Sequence, residues 1–362
     1  MGIASLFMPA VMGIIADRWI PAQRLLGLCH LFAAGFITLA ATRTDYNSLY
    51  TLVLLSVMFY MPTIALSNSV AYNALEKAGL DTVTHFPPIR VWGTVGFICA
   101  MWVVDLGKMG LSATQLYFSA TLGLILGLYS FTLPNCPINR SGGGKSIVDL
   151  LGLRAFALFK QRKMAIFFIF SMLLGMSLQI TNAFADGYIK SFGDTGIHGA
   201  KYLGTFGVEH STILISLSQI SETLCILLIP FFLKRFGIKR VMLIAMFAWV
   251  LRFALLGAGN PGPGVWMFIL SMIVYGVAFD FFNISGSLFV EKETSAAIRS
   301  SAQGVFMIMT NGLGALIGSY LAGWVVNHYG WPLSWYLFAG FSLVVAIVFA
   351  VIFKYKHDPN RI

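Results

Sequence analysis

The chain has 362 residues, of which 58% are hydrophobic and only 10% charged, with a mean hydropathy of +0.81. A soluble domain of this composition would lack the polar surface to cover itself, so water is excluded as its main solvent. The net charge of +10 does not indicate nucleic-acid binding, because the basic residues sit in short segments between apolar runs and not on one amphipathic face.

A hydrocarbon core of about 30 Å takes roughly 20 helical residues to cross. Runs of that kind predict eleven spans, and the first, near 1–16, opens at Met1 directly into GIASLFMPAVMGIIA. It has no charged lead-in and no small-residue cleavage site, so it reads as a span and not as a secretory signal. Spans follow near 24–42, 49–72, 88–105 and 112–133, which makes 1–133 an N-terminal bundle of five. Segment 134–162 is the one long polar stretch, and PNCPINRSGGGKS within it has a linker's composition. Ser141 to Ser146 resembles a phosphate-binding loop only superficially, because that loop needs glycine where Asn139 stands. Six further spans near 163–190, 209–233, 239–257, 264–290, 300–326 and 333–354 form a C-terminal bundle, 163–362, that ends in a short tail. The expected fold class is an all-α membrane protein. The four cysteines, Cys29, Cys99, Cys136 and Cys225, have no spacing that suggests disulfides or a zinc site.

With the tail KYKHDPNRI placed in the cytoplasm, 18 of the 24 Lys and Arg residues fall on the inner side, including Lys234, Arg235, Lys239 and Arg240. The outer side keeps Arg43, Lys108, Lys190 and Lys201, which is the asymmetry of the positive-inside rule. The cluster 234–240 therefore reads as an orientation signal before it reads as a lipid site. A basic loop motif also repeats, with Gly13, Asp17 and Arg18 after the first span and Arg235 and Gly237 after the seventh. In the second half the motif follows that half's second helix, so the symmetry predicts one more helix ahead of residue 1. These five residues are candidates for a conformational loop.

Ionisable and amide groups within the spans carry the functional signal, since a charge at the bilayer centre costs at least about 2.5–3.5 kcal/mol and is kept mainly where it faces a cavity or partner. Arg90, Thr94 and Phe97 follow i, i+4, i+7 spacing and share one stripe. Gln179 with Asn182, and Gln219 with Glu222, are i, i+3 pairs on two further helices. Tyr275, Phe279 and Asp280 set a carboxylate among aromatic rings, and Arg252 lies midway along 239–257 without an assignable role. Helix-to-helix hydrogen bonding is the plainer account of any one amide, and packing of any one ring. Taken together, the set offers amides, two carboxylates, a guanidinium and aromatic faces, which suits a flat, neutral, polar solute with ring and hydroxyl groups, such as a nucleoside. A carboxylate in hydrocarbon is costly to keep charged, so Glu222 and Asp280 are the candidates for proton coupling. None of the six histidines has a carboxylate or cysteine spaced for metal or nucleophile chemistry, so neither an enzyme nor a metal or other cofactor beyond the coupling proton is expected.

The strings THFPPIRVWGTVGFICAMWVV, MAIFFIFSMLLGMSLQITNAF, SQISETLCILLIPFFLKRFGIK and LSMIVYGVAFDFFNISGSLFVEKE resemble the nucleoside:proton symporter family of the major facilitator superfamily, in both its broad nucleoside and its xanthosine branches. The resemblance runs from residue 1 to the tail. It implies a twelve-helix fold of two six-helix bundles, of which eleven helices would be present here. It also implies uptake of nucleosides with protons by alternating access, across the bacterial cytoplasmic membrane, by a monomer embedded in lipid. Positions matching Arg90, Thr94, Phe97, Gln179, Asn182, Gln219, Glu222, Tyr275, Phe279 and Asp280 form the substrate site in that resemblance. The second basic loop departs from the superfamily pattern, with Pro230 and Lys234 where glycine and aspartate are usual. The alternatives left open are another major facilitator transporter, such as a drug efflux pump, and an inactive truncated permease.

Overall fold

The structure, a computed structural model, describes residues 19–80, 82–110, 112–136, 153–194, 201–294 and 299–355, together with positions 8, 11, 12, 15 and 16. Every long element among them is helical. The first four helices are α1 (Ala22–Ala41), α2 (Tyr46–Lys77), α3 (Thr82–Leu106) and α4 (Thr114–Ser130). A short 3-10 turn, Leu153–Lys160, precedes α5 (Arg162–Ser191). One helical run, Ser211–Ala258, breaks at the buried Gly237, giving α6 (211–236) and α7 (238–258). Then come α8 (Val265–Glu293), α9 (Arg299–Met307), a π-helical stretch Ile308–Gly314 that continues into α10 (Ala315–Tyr329), and α11 (Trp331–Ile352).

Seven of these runs are long and apolar enough to cross a membrane, against the eleven spans expected. The difference has four sources. The expected span 1–16 lies outside the described residues apart from isolated positions. Spans 209–233 and 239–257 are one helical run interrupted only at Gly237. The span near 88–105 is represented by the shorter apolar stretch Val91–Leu106, and 112–133 by the 17-residue α4.

The chain divides into two compact units, one of Met1–Phe97 with Leu106–Leu153 and the other of Ile98–Asp105 with Arg154–Ile362. In the first, α1 and α4 approach backbone to backbone. A Cβ on Gly27 would lie 2.9 Å from the Gly127 carbonyl, so only glycine fits there. Phe59 of α2 packs on Phe32 and Phe36 of α1, and the Ser56 hydroxyl donates to the Ala33 carbonyl at 2.9 Å. Asp45 caps α2 by accepting from the Ser48 N–H at 2.9 Å. Bonds from the Ser48 side chain and backbone hold its carboxyl below the usual range. At the other end of α2, Lys77 donates to the Asn135 carbonyl. Gln23 donates to Asn135 Oδ1 at 2.6 Å and accepts from the Cys136 N–H at 2.9 Å. Loss of solvent around Cys136 pushes its thiol up.

In the second unit, small residues again bring helices together. A Cβ on Gly276 of α8 would meet Ser221 backbone atoms of α6 at 2.6 Å, and Cβ atoms on Gly314 and Gly318 would meet Met172 and Met176 backbone of α5 at 2.6 and 2.7 Å. Such close crossings let helices gain dispersion contact where no hydrophobic effect drives them together. Aromatic side chains fill the remaining interior, with Phe167 against Phe289 and Phe306, and Trp335 against Tyr188 and Phe253. The end of α3 belongs to this unit. Asp105 sits 2.6 Å from Nδ1 of His210 and accepts from the Thr212 N–H at 3.2 Å, while the Trp102 indole donates to the Ser216 hydroxyl at 2.9 Å.

Candidate substrate site

The second unit brings seven of the expected residues onto three helices. Gln179 and Asn182 stand on α5, the first half-buried and the second exposed. Gln219 and Glu222 stand on α6, both half-buried, and the Gln219 carbonyl accepts from the Thr223 hydroxyl at 3.1 Å as part of the helix's own wall. Tyr275, Phe279 and Asp280 stand on α8.

The three helices converge for reasons written in their small residues. Gly276, one position beyond Tyr275, admits the backbone of Ser221, one position before Glu222. The Ser221 hydroxyl fixes that approach by donating to the Ile273 carbonyl of α8. Glu222 thereby comes within electrostatic reach of both Tyr275 and Asp280. Tyr275 faces the opposite helix, within reach of the Asn182 side chain of α5. Its ring stacks on Phe279 at 5.8 Å between centroids, 21° from parallel, and meets the edge of Trp249 at 6.0 Å.

Solvent access grades across this group. Asn182 is exposed and Phe279 half-buried, whereas Tyr275 and Asp280 keep only 4% and 3% of their surface. Tyr275 therefore backs Asn182 and Phe279 in this conformation, one layer deeper than the spacing implied. Asp280 Oδ2 is buried with no hydrogen-bond partner. A buried carboxylate oxygen without a donor is costly as an anion, and far less so when it carries a proton.

The first unit carries the other expected residues on α3. Thr94 is half-buried and Phe97 is 54% exposed, a large outlay of aromatic surface for a packing residue. Arg90 is on the same helix, but its side chain lies outside the described residues, as do Gly13, Asp17 and Arg18 of the first basic loop. In the second loop Arg235 is exposed beside the Phe236 ring, and Gly237 holds φ 75° and ψ 165°, a conformation open in practice to glycine alone.

Two groups near the site escaped the reading by spacing. Trp249 comes from α7, a helix with no expected site residue, and its edge contact with Tyr275 and its place in the lining of a cavity beside Phe279 mark it. A small cavity bordered by Gly175, Phe279, Asn283 and Asn311 opens beside the π-helical stretch, and Asn311's inclusion depends on the extra residue per turn there.

The chain is similar to known proteins along nearly its whole length. A family model described as Nucleoside H+ symporter matches residues 1–358. The nucleoside permease NupG of Escherichia coli (strain K12) is 51% identical over 364 residues, 99% of this chain and 86% of that protein. The xanthosine permease of the same organism is 50% identical over 368 residues, covering 100% of this chain and 87% of its own. Among solved structures, a mutant of the nucleoside transporter NupG superposes with a TM-score of 0.93 at 51% identity, over 98% of this chain and 89% of that one. A peptide transporter at 14% identity and a TM-score of 0.73 shares the fold. The chain has the major facilitator fold and belongs to the nucleoside H+ symporter family.

Proposed function

We infer that the chain is a transporter that carries nucleosides across a bilayer together with protons, and not an enzyme. Family membership supports the activity, and the grouping of Asn182, Glu222, Phe279 and Asp280 around Tyr275 supports the placement of the substrate site. In this reading the Phe279 ring gives a nucleobase a face to stack on, while the Gln179, Asn182 and Gln219 amides read its polar edge and the sugar hydroxyls. Arg90, Thr94 and Phe97 are proposed as further substrate contacts contributed by α3.

The coupling proton is assigned to Asp280, with Glu222 as the second carboxylate of the pair. The observation that carries this is the orphaned Oδ2 of Asp280, which gains nothing from its surroundings as an anion. Protonation would neutralise the site, and nucleoside and proton together would permit the change that exposes it to the other side. The working setting is the bacterial cytoplasmic membrane, with the C-terminus in the cytoplasm as the distribution of Lys and Arg indicates, and with one chain as the working unit.

The test is uptake with and without a proton gradient. Asp280→Asn is expected to abolish gradient-driven accumulation while leaving nucleoside equilibration across the membrane, and Glu222→Gln to weaken both. Full gradient-driven accumulation in the two variants would overturn the assignment.

A further inference from the structure

Arg252 of α7 is a buried charged side chain of the second unit that the substrate site described above does not include. It keeps 2% of its surface. Its Nε donates to the Thr181 hydroxyl of α5 at 3.0 Å, and Nη1 donates to the Ser271 carbonyl of α8 at 2.5 Å. Both terminal nitrogens reach the Met272 thioether at 3.7 Å, and the Ser271 hydroxyl returns a bond to the Arg252 carbonyl at 3.1 Å. Among the described residues no carboxylate forms an ion pair with it.

A guanidinium held by a hydroxyl, a carbonyl and a sulfur keeps more of its field than one in a direct ion pair, and none is formed here among the described residues. That field falls on Tyr275, whose ring centroid lies 4.7 Å from the guanidinium carbon. A cation over a ring face attracts the face and resists its rotation. Tyr275 is thereby held on several sides, by Arg252, by the edge of Trp249 and by the stacked Phe279 ring, with Asn182 close by. The last two are the residues of this cluster that solvent reaches. If helix association were all that was needed, a neutral side chain of the same length would bridge α5, α7 and α8 without the cost of a charge in hydrocarbon.

We propose that Arg252 is a positioning residue for nucleoside binding, its guanidinium against Tyr275 setting the orientation in which Phe279 and Asn182 meet the substrate. It touches no substrate itself. The inference rests on the substrate site assigned above, and the experiment separates the two.

Uridine affinity is measured by radioligand binding to the detergent-solubilised full chain, alongside its thermal midpoint. The variants are Arg252→Met, Asn182→Ala, Tyr275→Leu and the Arg252→Met/Tyr275→Leu double. Arg252→Met is expected to weaken uridine binding about three- to thirtyfold, the scale of a cation–π contact up to the desolvated case, in protein that still unfolds cooperatively. In the Tyr275→Leu background the same change should add little, because the ring through which it acts is gone. Should Arg252→Met fail to fold, Arg252→Gln, which keeps an amide donor for Ser271 without the charge, takes its place under the same expectation. If neither Asn182→Ala nor Tyr275→Leu shifts affinity, the substrate site is misplaced and this inference falls with it. If those two weaken binding but the Arg252 variant leaves it unchanged, or weakens it equally in the Tyr275→Leu background, the arginine is structural and the inference alone is overturned.

Discussion

A single glutamine shows how much of a membrane protein's order depends on side chains at helix ends. Gln23, itself buried, bonds the buried Cys136 N–H and the amide oxygen of exposed Asn135. Gln23→Leu strips the Cys136 N–H of its partner, at a cost of about 1–3 kcal/mol for a group left buried and unpaired. The readout is Cys136 itself. Its thiol is buried and pushed up, so little thiolate forms at neutral pH and alkylation by a maleimide is slow. In Gln23→Leu the Cys136 alkylation rate is expected to rise severalfold, followed by mass spectrometry. An unchanged rate would mean the segment is held by other contacts. At this scale the sequence is partly legible. Glu222 and Asp280 stand out because an ionisable group in an apolar run demands a reason. The reason for Arg252 could not be read, because Thr181, Ser271 and Tyr275 come from helices far away in the chain. Tyr275 was identified as a site residue, but its depth behind Asn182 depends on tertiary placement that spacing does not encode.

The helices owe their packing to where side chains are missing. Gly276 lets α8 approach α6 closely enough for Ser221 to bond the Ile273 carbonyl, and that crossing sets Glu222 near Asp280. Gly276→Ala forces the two backbones apart and is expected to cost about 1–3 kcal/mol, as overpacking of tight contacts does. The thermal midpoint in detergent should fall by several degrees, and nucleoside affinity with it. Gly96→Ala, with open space around its Cβ position, is the control that should move neither. A normal midpoint in Gly276→Ala would show that the crossing is loose. Periodicity and length found the apolar helices, and they failed where geometry departs from the regular helix. At Gly237 length does place a boundary between two spans, and the φ of 75° there divides the run into α6 and α7. The π-helical stretch Ile308–Gly314 left no mark on the apolar pattern, because one extra residue per turn changes the face each side chain takes without changing composition. The Asp105 and His210 contact leaves no mark on the periodicity either, since Asp105 lies at the end of α3, His210 stands just before α6, and the two are 105 residues apart in the chain.

For the molecule as a whole, composition fixed the solvent, the distribution of Lys and Arg fixed the expected orientation, and the specific strings along the chain fixed the family. The central proposal is chemical, that Asp280, whose Oδ2 is buried without a hydrogen-bond partner among the described residues, carries a proton on each passage of a nucleoside. The direct measurement uses proteoliposomes loaded at the same pH as the bath, with no ion gradient and a trapped pH dye. Adding uridine outside should acidify the lumen as uridine enters, and in Asp280→Asn uridine should enter with no acidification. Uridine entry without proton movement in the unaltered protein, or proton movement that survives in Asp280→Asn, would contradict the claim.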